Sequence, residues 1–250
     1  MMNASHTCSI SSWRKRSDEK KRTPQILILR GTTRMPDSWA GVENLQNSGE
    51  WTALYPVIMK LPSFLPGMSG SEKKKELSKF ARHALKLSAE RSNVTPRIPE
   101  KDRNGVPQPT DGLYWSVSHS SQCVAAVVAP YAVGIDIEQI RDVSTLLKEQ
   151  IASEAEWDLT PENDPTLFFR YWTAKEAVLK AAGHGLSGLA HCAVTQIIDD
   201  VQIRLTYHDT SWLVLQHEIP GNKRMGQPSY IAAVTSGGHD IAWQRISIPA

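Results

Sequence analysis

Apolar and polar residues follow two different periods along this chain. From Ser71 onward, Leu77, Phe80, Ala81, Ala84, Leu85 and Leu87 recur at three and four residues, which predicts a helix with one apolar face. Ser71 is the expected N-cap, and Glu76 lies near the positive end of the helix dipole. Pro96, Pro99, Pro107 and Pro109 then mark an irregular connection. After the turn dipeptide Asp111-Gly112 the character becomes that of strands. Tyr114 to Ser118, Cys123 to Ala129 and Val133 to Glu138 are short β-branched runs, read as a meander of antiparallel strands. Helical spacing returns at Val143 to Leu159 and at Leu167 to Ala182, where Gly183 supplies a C-cap. Further strands are expected near 193–207, 211–218 and 229–235.

Upstream, Gln25 to Arg30 is a compact apolar run stopped by Gly31 and predicts a strand. The stretch from Thr32 to Ser71 is rich in Pro, Gly and Ser and has no clear period. Residues 1–23 are polar and basic and are expected to form a frayed leader. Strands and helices are segregated rather than alternating, which favours an α+β fold.

With 250 residues, 40% of them hydrophobic, the chain suits one large domain or two small ones. No apolar run reaches the roughly 18 residues of a transmembrane helix. The N-terminus lacks a basic segment followed by an apolar one, so a secretory signal is not expected. Three scattered cysteines, Cys8, Cys123 and Cys192, point away from a disulfide framework or a thiolate zinc site and fit a reducing cytoplasm. The net charge of +2 argues against a dedicated nucleic-acid-binding domain. Basic clusters at Arg14 to Arg16, Lys20 to Arg22 and Lys73 to Lys75 are either solvated faces or attractors of an anionic partner. They lack the interleaved aromatics of a single-strand binder.

Three segments could carry chemistry. In Val133-Gly134-Ile135-Asp136-Ile137-Glu138, residues two apart share a face, so Asp136 and Glu138 project together while the isoleucines face a core. Two adjacent carboxylates repel, and a hard cation such as Mg²⁺ would relieve them; an acidic edge facing water is the plainer alternative. Glu176 and Lys180 are four apart on a helix whose flanking Phe168, Tyr171, Trp172 and Leu179 need burial, which sets the pair at the border of a core. His119, between small hydroxyls in Ser118-His119-Ser120, can donate to an anion, act as a base, or serve structurally.

Taken in order, Ser-Val-Ser-His-Ser, Val-Gly-Ile-Asp-Ile-Glu and Trp-Thr-Ala-Lys-Glu-Ala-Val-Leu-Lys, followed by Gly183-His184-Gly185-Leu186, resemble the 4′-phosphopantetheinyl transferases, in particular the larger surfactin-synthetase-activating (Sfp-type) class. The likeness runs from Trp115 to Leu186. It implies a two-lobed α+β fold, each lobe a small antiparallel sheet packed with helices, with boundaries near 24–132 and 133–250. It implies transfer of 4′-phosphopantetheine from coenzyme A to a serine of an acyl or peptidyl carrier protein, with release of 3′,5′-ADP. Asp136, Glu138 and Glu176 would hold Mg²⁺, and Lys180 would lean on the attacked phosphate. His119, with Ser118, Lys180 and Arg82, would contact the coenzyme, and Glu176 is also the candidate base. A cytoplasmic monomer, acting on no membrane or nucleic acid, is the expectation. Where the family often has Gly-Lys-Pro, this chain reads Gly105-Val106-Pro107. Arg97, Lys101, Arg103, Lys73 to Lys75 or Arg82 are the cations that could compensate. The rival implied by that loss is a relative that binds coenzyme A or a carrier without catalysis.

Overall fold

A computed structural model describes residues 51–61, 68–95, 100–102, 106–160 and 164–247. The expected leader and the Gln25 to Arg30 strand lie outside the described residues. The first long element is helix α1, Gly70–Arg91. Its N-cap is Ser69 rather than Ser71. The Ser69 hydroxyl accepts from the Glu72 amide while the Glu72 carboxylate reaches back to Ser69, a reciprocal capping box. Both serines precede the same apolar face, and the glutamate three residues on selects the earlier one.

Strands β1 (Ala53–Leu54) and β2 (Val57–Lys60) precede α1. They are followed by β3 (Tyr114–Ser120), β4 (Cys123–Ala129) and β5 (Ile135–Gln139). The region from 143 to 159 forms two short helices, α2 (Thr145–Ile151) and α3 (Glu154–Trp157). The extended Ala152 and the cap Ser153 separate them. Helix α4, Leu167–Ala182, ends at Gly183, whose left-handed φ of 73° matches the expected cap. The remaining strands are β6 (Cys192–Ile197), β7 (Gln202–Tyr207), β8 (Thr210–Ile219), β9 (Tyr230–Thr235), β10 (Asp240–Ile241) and β11 (Gln244–Ser247).

Among the described residues these strands form a sheet ordered β11-β2-β4-β3, a sheet ordered β5-β9-β8-β7-β6, and the short pair β1-β10. The expected meander therefore breaks after β4. Instead of adding to β4, β5 pairs antiparallel with β9 at the edge of the other sheet. The C-terminal strand β11 returns to pair parallel with β2. No local signal announces either event, because both depend on partners over 90 residues away.

The packing makes four layers. Leu77, Ala84, Leu85 and Ala89 of α1 cover Val57, Met59, Val124, Ala126 and Val128 on one face of the first sheet. The opposite face, Ile58, Cys123, Ala125 and Val127, packs on Ile135, Ile137, Tyr230, Ala232 and Val234 of the second sheet. The far face of that second sheet, with Ile203, Leu205, Val214, Ile231 and Ala233, lies under Phe168, Phe169, Tyr171, Ala174 and Val178 of α4. Each such fully buried large side chain contributes roughly 1.5–3 kcal/mol. β4 is buried at all seven positions because it is central in its sheet and covered on both faces, which explains its unbroken apolar run. The α+β class read from the sequence is borne out, with small sheets packed against helices.

Candidate active site

Gly134 decides how closely helix and strand approach. A Cβ at this position would stand 1.8 Å from the Ala177 carbonyl oxygen, so only glycine lets the chain enter β5 beneath α4. From there the two-residue period sends Ile135 and Ile137 into the core between the sheets. Asp136 and Glu138 take the other side, with α4 above them.

Lys180 closes the arrangement from α4. Its ammonium donates to Asp136 Oδ1 at 2.6 Å and to the Ile135 carbonyl at 3.1 Å. The Ser118 hydroxyl donates to the same Oδ1 at 2.6 Å. Asp136 is buried, and among the described residues its Oδ2 has no hydrogen-bond partner. Glu138 Oε2 accepts from Ser120 Oγ at 2.8 Å and lies 3.5 Å from the Arg141 guanidinium.

The charges here act on one another. Burial first, then the carboxylates of Asp136 and Glu138, push the Glu176 carboxyl up to about 7, against the opposing pull of Lys180. Burial and Asp136 likewise raise Glu138, with Ser120, Arg141 and Lys180 opposing. Burial works against the charge of Lys180, but Asp136 and Glu176 outweigh it and hold its pKa above the ordinary lysine value. His119 keeps an exposed edge, yet the protein around it and the Lys180 ammonium push its pKa down.

Of the residues predicted from the sequence, Asp136, Glu138, Glu176, Lys180, Ser118 and His119 thus meet, by direct contact or by the charge each feels. Arg82 lies on the exposed side of α1 and, among the described residues, makes no hydrogen bond to the other site residues. Among the compensating cations, Arg97 and Arg103 fall outside the described residues. Lys101 does not: it pairs across a bridge with Pro107, next to Val106, and stands 5.6 Å over the Trp115 ring. Partial desolvation, Lys180 and Lys74 lower its pKa. Sequence reasoning missed Ser116 and Ser120, although their alternation with Ser118 is visible in the string. It also missed Lys175, buried against Glu156 at 2.6 Å on the far side of α4.

Among the described residues no three His, Cys, Asp or Glu side chains stand together at metal-ligand spacing. The donor set nevertheless suits a hard divalent cation. It consists of carboxylate oxygens that repel one another, one of them buried without a partner.

Residues 132–235 match the family model of the 4′-phosphopantetheinyl transferase superfamily, and this stretch contains Asp136, Glu138, Glu176 and Lys180. The chain is 30% identical over 145 residues to the 4′-phosphopantetheinyl transferase psf-1 of Bacillus pumilus, covering 55% of this chain and 59% of the relative. It is 31% identical over 90 residues to the 4′-phosphopantetheinyl transferase gsp of Aneurinibacillus migulanus, covering 34% and 38%. To the 4′-phosphopantetheinyl transferase HetI of a Nostoc species it is 35% identical over 102 residues, covering 38% and 39%. The chain thus spans between 38% and 59% of the lengths of these relatives. The resemblance read from the motifs is borne out over this shared region.

Proposed function

We propose that this protein transfers the 4′-phosphopantetheine group from coenzyme A to a serine hydroxyl of an apo carrier protein, releasing 3′,5′-ADP with the help of Mg²⁺. The observation that carries this reading is the meeting of β5, α4 and the end of β3. Two carboxylates, a third pushed to near-neutral titration, an ammonium and an imidazole converge there from stretches far apart in sequence.

Asp136, Glu138 and Glu176 would hold Mg²⁺, the unpartnered Asp136 Oδ2 being the natural first ligand. Such an ion neutralises diphosphate charge and polarises the phosphorus under attack. Lys180, one helical turn from Glu176, supplies a fixed positive charge beside the developing negative charge on the transferred phosphate. Glu176, titrating at about 7, is matched to accept the proton of the attacking serine at cellular pH. Service as a metal ligand weakens it as a base, so these two roles compete. His119 donates to a phosphate of the coenzyme. Lys101, held over Trp115, takes the part of the cation that Val106 does not provide. Carrier proteins of this kind are acidic, and the Lys73 to Lys75 cluster favours their approach without selecting among them.

The test is direct. The full chain is incubated with coenzyme A, Mg²⁺ and a small panel of apo carriers, and each carrier is weighed by mass spectrometry. Gain of one phosphopantetheine mass on a carrier is the expected result. Coenzyme A binding with no mass gain on any carrier would instead identify a non-catalytic relative and overturn the proposal.

A further inference from the structure

Strands β3 and β5 belong to different sheets, and their backbones share no ladder. They are nevertheless joined at every second residue of β3 by a hydroxyl. Ser116 Oγ accepts the Ile135 amide at 3.1 Å. Ser118 Oγ donates to Asp136 Oδ1 at 2.6 Å. Ser120 Oγ accepts the Gln139 amide at 3.2 Å and donates to Glu138 Oε2 at 2.8 Å. Each serine has one proton, so a hydroxyl that gives it to a carboxylate fixes which oxygen is engaged. On Asp136, Oδ1 is taken by Ser118 and Lys180, and the buried Oδ2 has no partner among the described residues. On Glu138, Oε2 is taken by Ser120.

We propose that Ser118 and Ser120 are positioning residues that turn one free oxygen each of Asp136 and Glu138 toward a shared divalent cation. The inference rests on the metal-dependent reading above, and it assigns to β3 a second task besides presenting His119. A merely structural stitch between sheets would need only the Ser116 and Ser120 bonds to backbone amides. The Ser118 bond ties no backbone group and acts on the carboxylate alone.

Mn²⁺ serves as the probe, its binding to the full chain read from loss of the free-ion electron paramagnetic resonance signal in the absence of coenzyme and carrier. Ser118→Ala and Ser120→Ala should each weaken Mn²⁺ binding about tenfold, as loss of a hydrogen bond to a ligating group commonly does. Ser120→Thr, which keeps the hydroxyl, should bind as the unaltered chain does. Ser118→Ala leaves no backbone amide unpaired, so it gives a reading even where Ser120→Ala fails to fold. Wild-type affinity in Ser118→Ala, equal losses in Ser120→Thr and Ser120→Ala, or no Mn²⁺ uptake by the unaltered chain would each overturn the inference. The carrier mass assay on the unaltered chain separates the two claims. Transfer with serine-independent Mn²⁺ binding sinks this inference alone, and serine-dependent binding without transfer sinks the transferase reading alone.

Discussion

Helix α4 carries two lysine–carboxylate pairs of identical length and opposite character. Lys175 meets Glu156 at 2.6 Å, and Lys180 meets Asp136 at 2.6 Å. In the first, every polar atom is used. Lys175 also donates to the Ile151 carbonyl, Glu156 Oε1 accepts the Val194 amide, and Oε2 accepts from Ser153. Burial alone would raise Glu156, but these bonds outweigh it and hold its pKa below the usual carboxylate value. In the second pair Asp136 Oδ2 has no partner among the described residues, and nearby Glu176 is forced up to about 7. A satisfied buried pair fixes a fold; an unsatisfied one in a group of like charges stores a demand that a ligand can meet.

That contrast is broken most severely by Glu156→Ala, which leaves the Lys175 ammonium buried and uncompensated. A loss of about 3–5 kcal/mol is expected in urea unfolding. Gly134→Ala comes next. Its Cβ would meet backbone rather than a flexible side chain, so α4 must lift from β5, at a stability cost of about 3 kcal/mol and with a fall in transfer rate. Both pairs should be disturbed by this change, because both ride on α4.

The carboxylates Glu156 and Glu176 should also respond oppositely to pH. Glu156 has a lowered folded pKa, so its contribution is present above the unfolded value near 4.5 and is lost as pH falls. Glu176 has a raised one, so the folded state holds the extra proton and stability falls as pH rises from 4.5 to 7. Glu176→Gln should therefore stabilise the metal-free protein at pH 8 by up to about 3 kcal/mol, while abolishing transfer. That stabilisation should vanish below about pH 4.5, and urea midpoints across this range check it. The smallest effect belongs to the rim: His119→Ala should weaken coenzyme A binding about tenfold by calorimetry, with the unfolding midpoint unchanged.

The sequence announces the satisfied and unsatisfied pairs unequally. Asp136, Glu138, Glu176 and Lys180 were legible because a strand of period two and a helix of spacing four each present their charges on one face. Lys175 was hidden, since its partner Glu156 lies in a four-residue helix with no pattern of its own. β4 and α4 were legible from runs of apolar residues that any interior position would select. β1, β2, β10 and β11 were not: they are two to four residues long and depend on distant partners, β1 on β10, β11 on β2, and β2 on both β11 and β4. The same reason conceals the departure of β5 to the second sheet. Its own residues read as a strand wherever they pair, and only Gly134, required for the approach of Ala177, marks the place.

The proposed transfer requires the Asp136 carboxylate to serve chemistry rather than the fold. Asp136→Asn, which keeps the shape and removes the charge, tests this in one reading of carrier mass after incubation with coenzyme A and Mg²⁺. Transfer at least about a hundredfold slower than in the unaltered chain is expected. A carrier that gains its mass at the unaltered rate would contradict it.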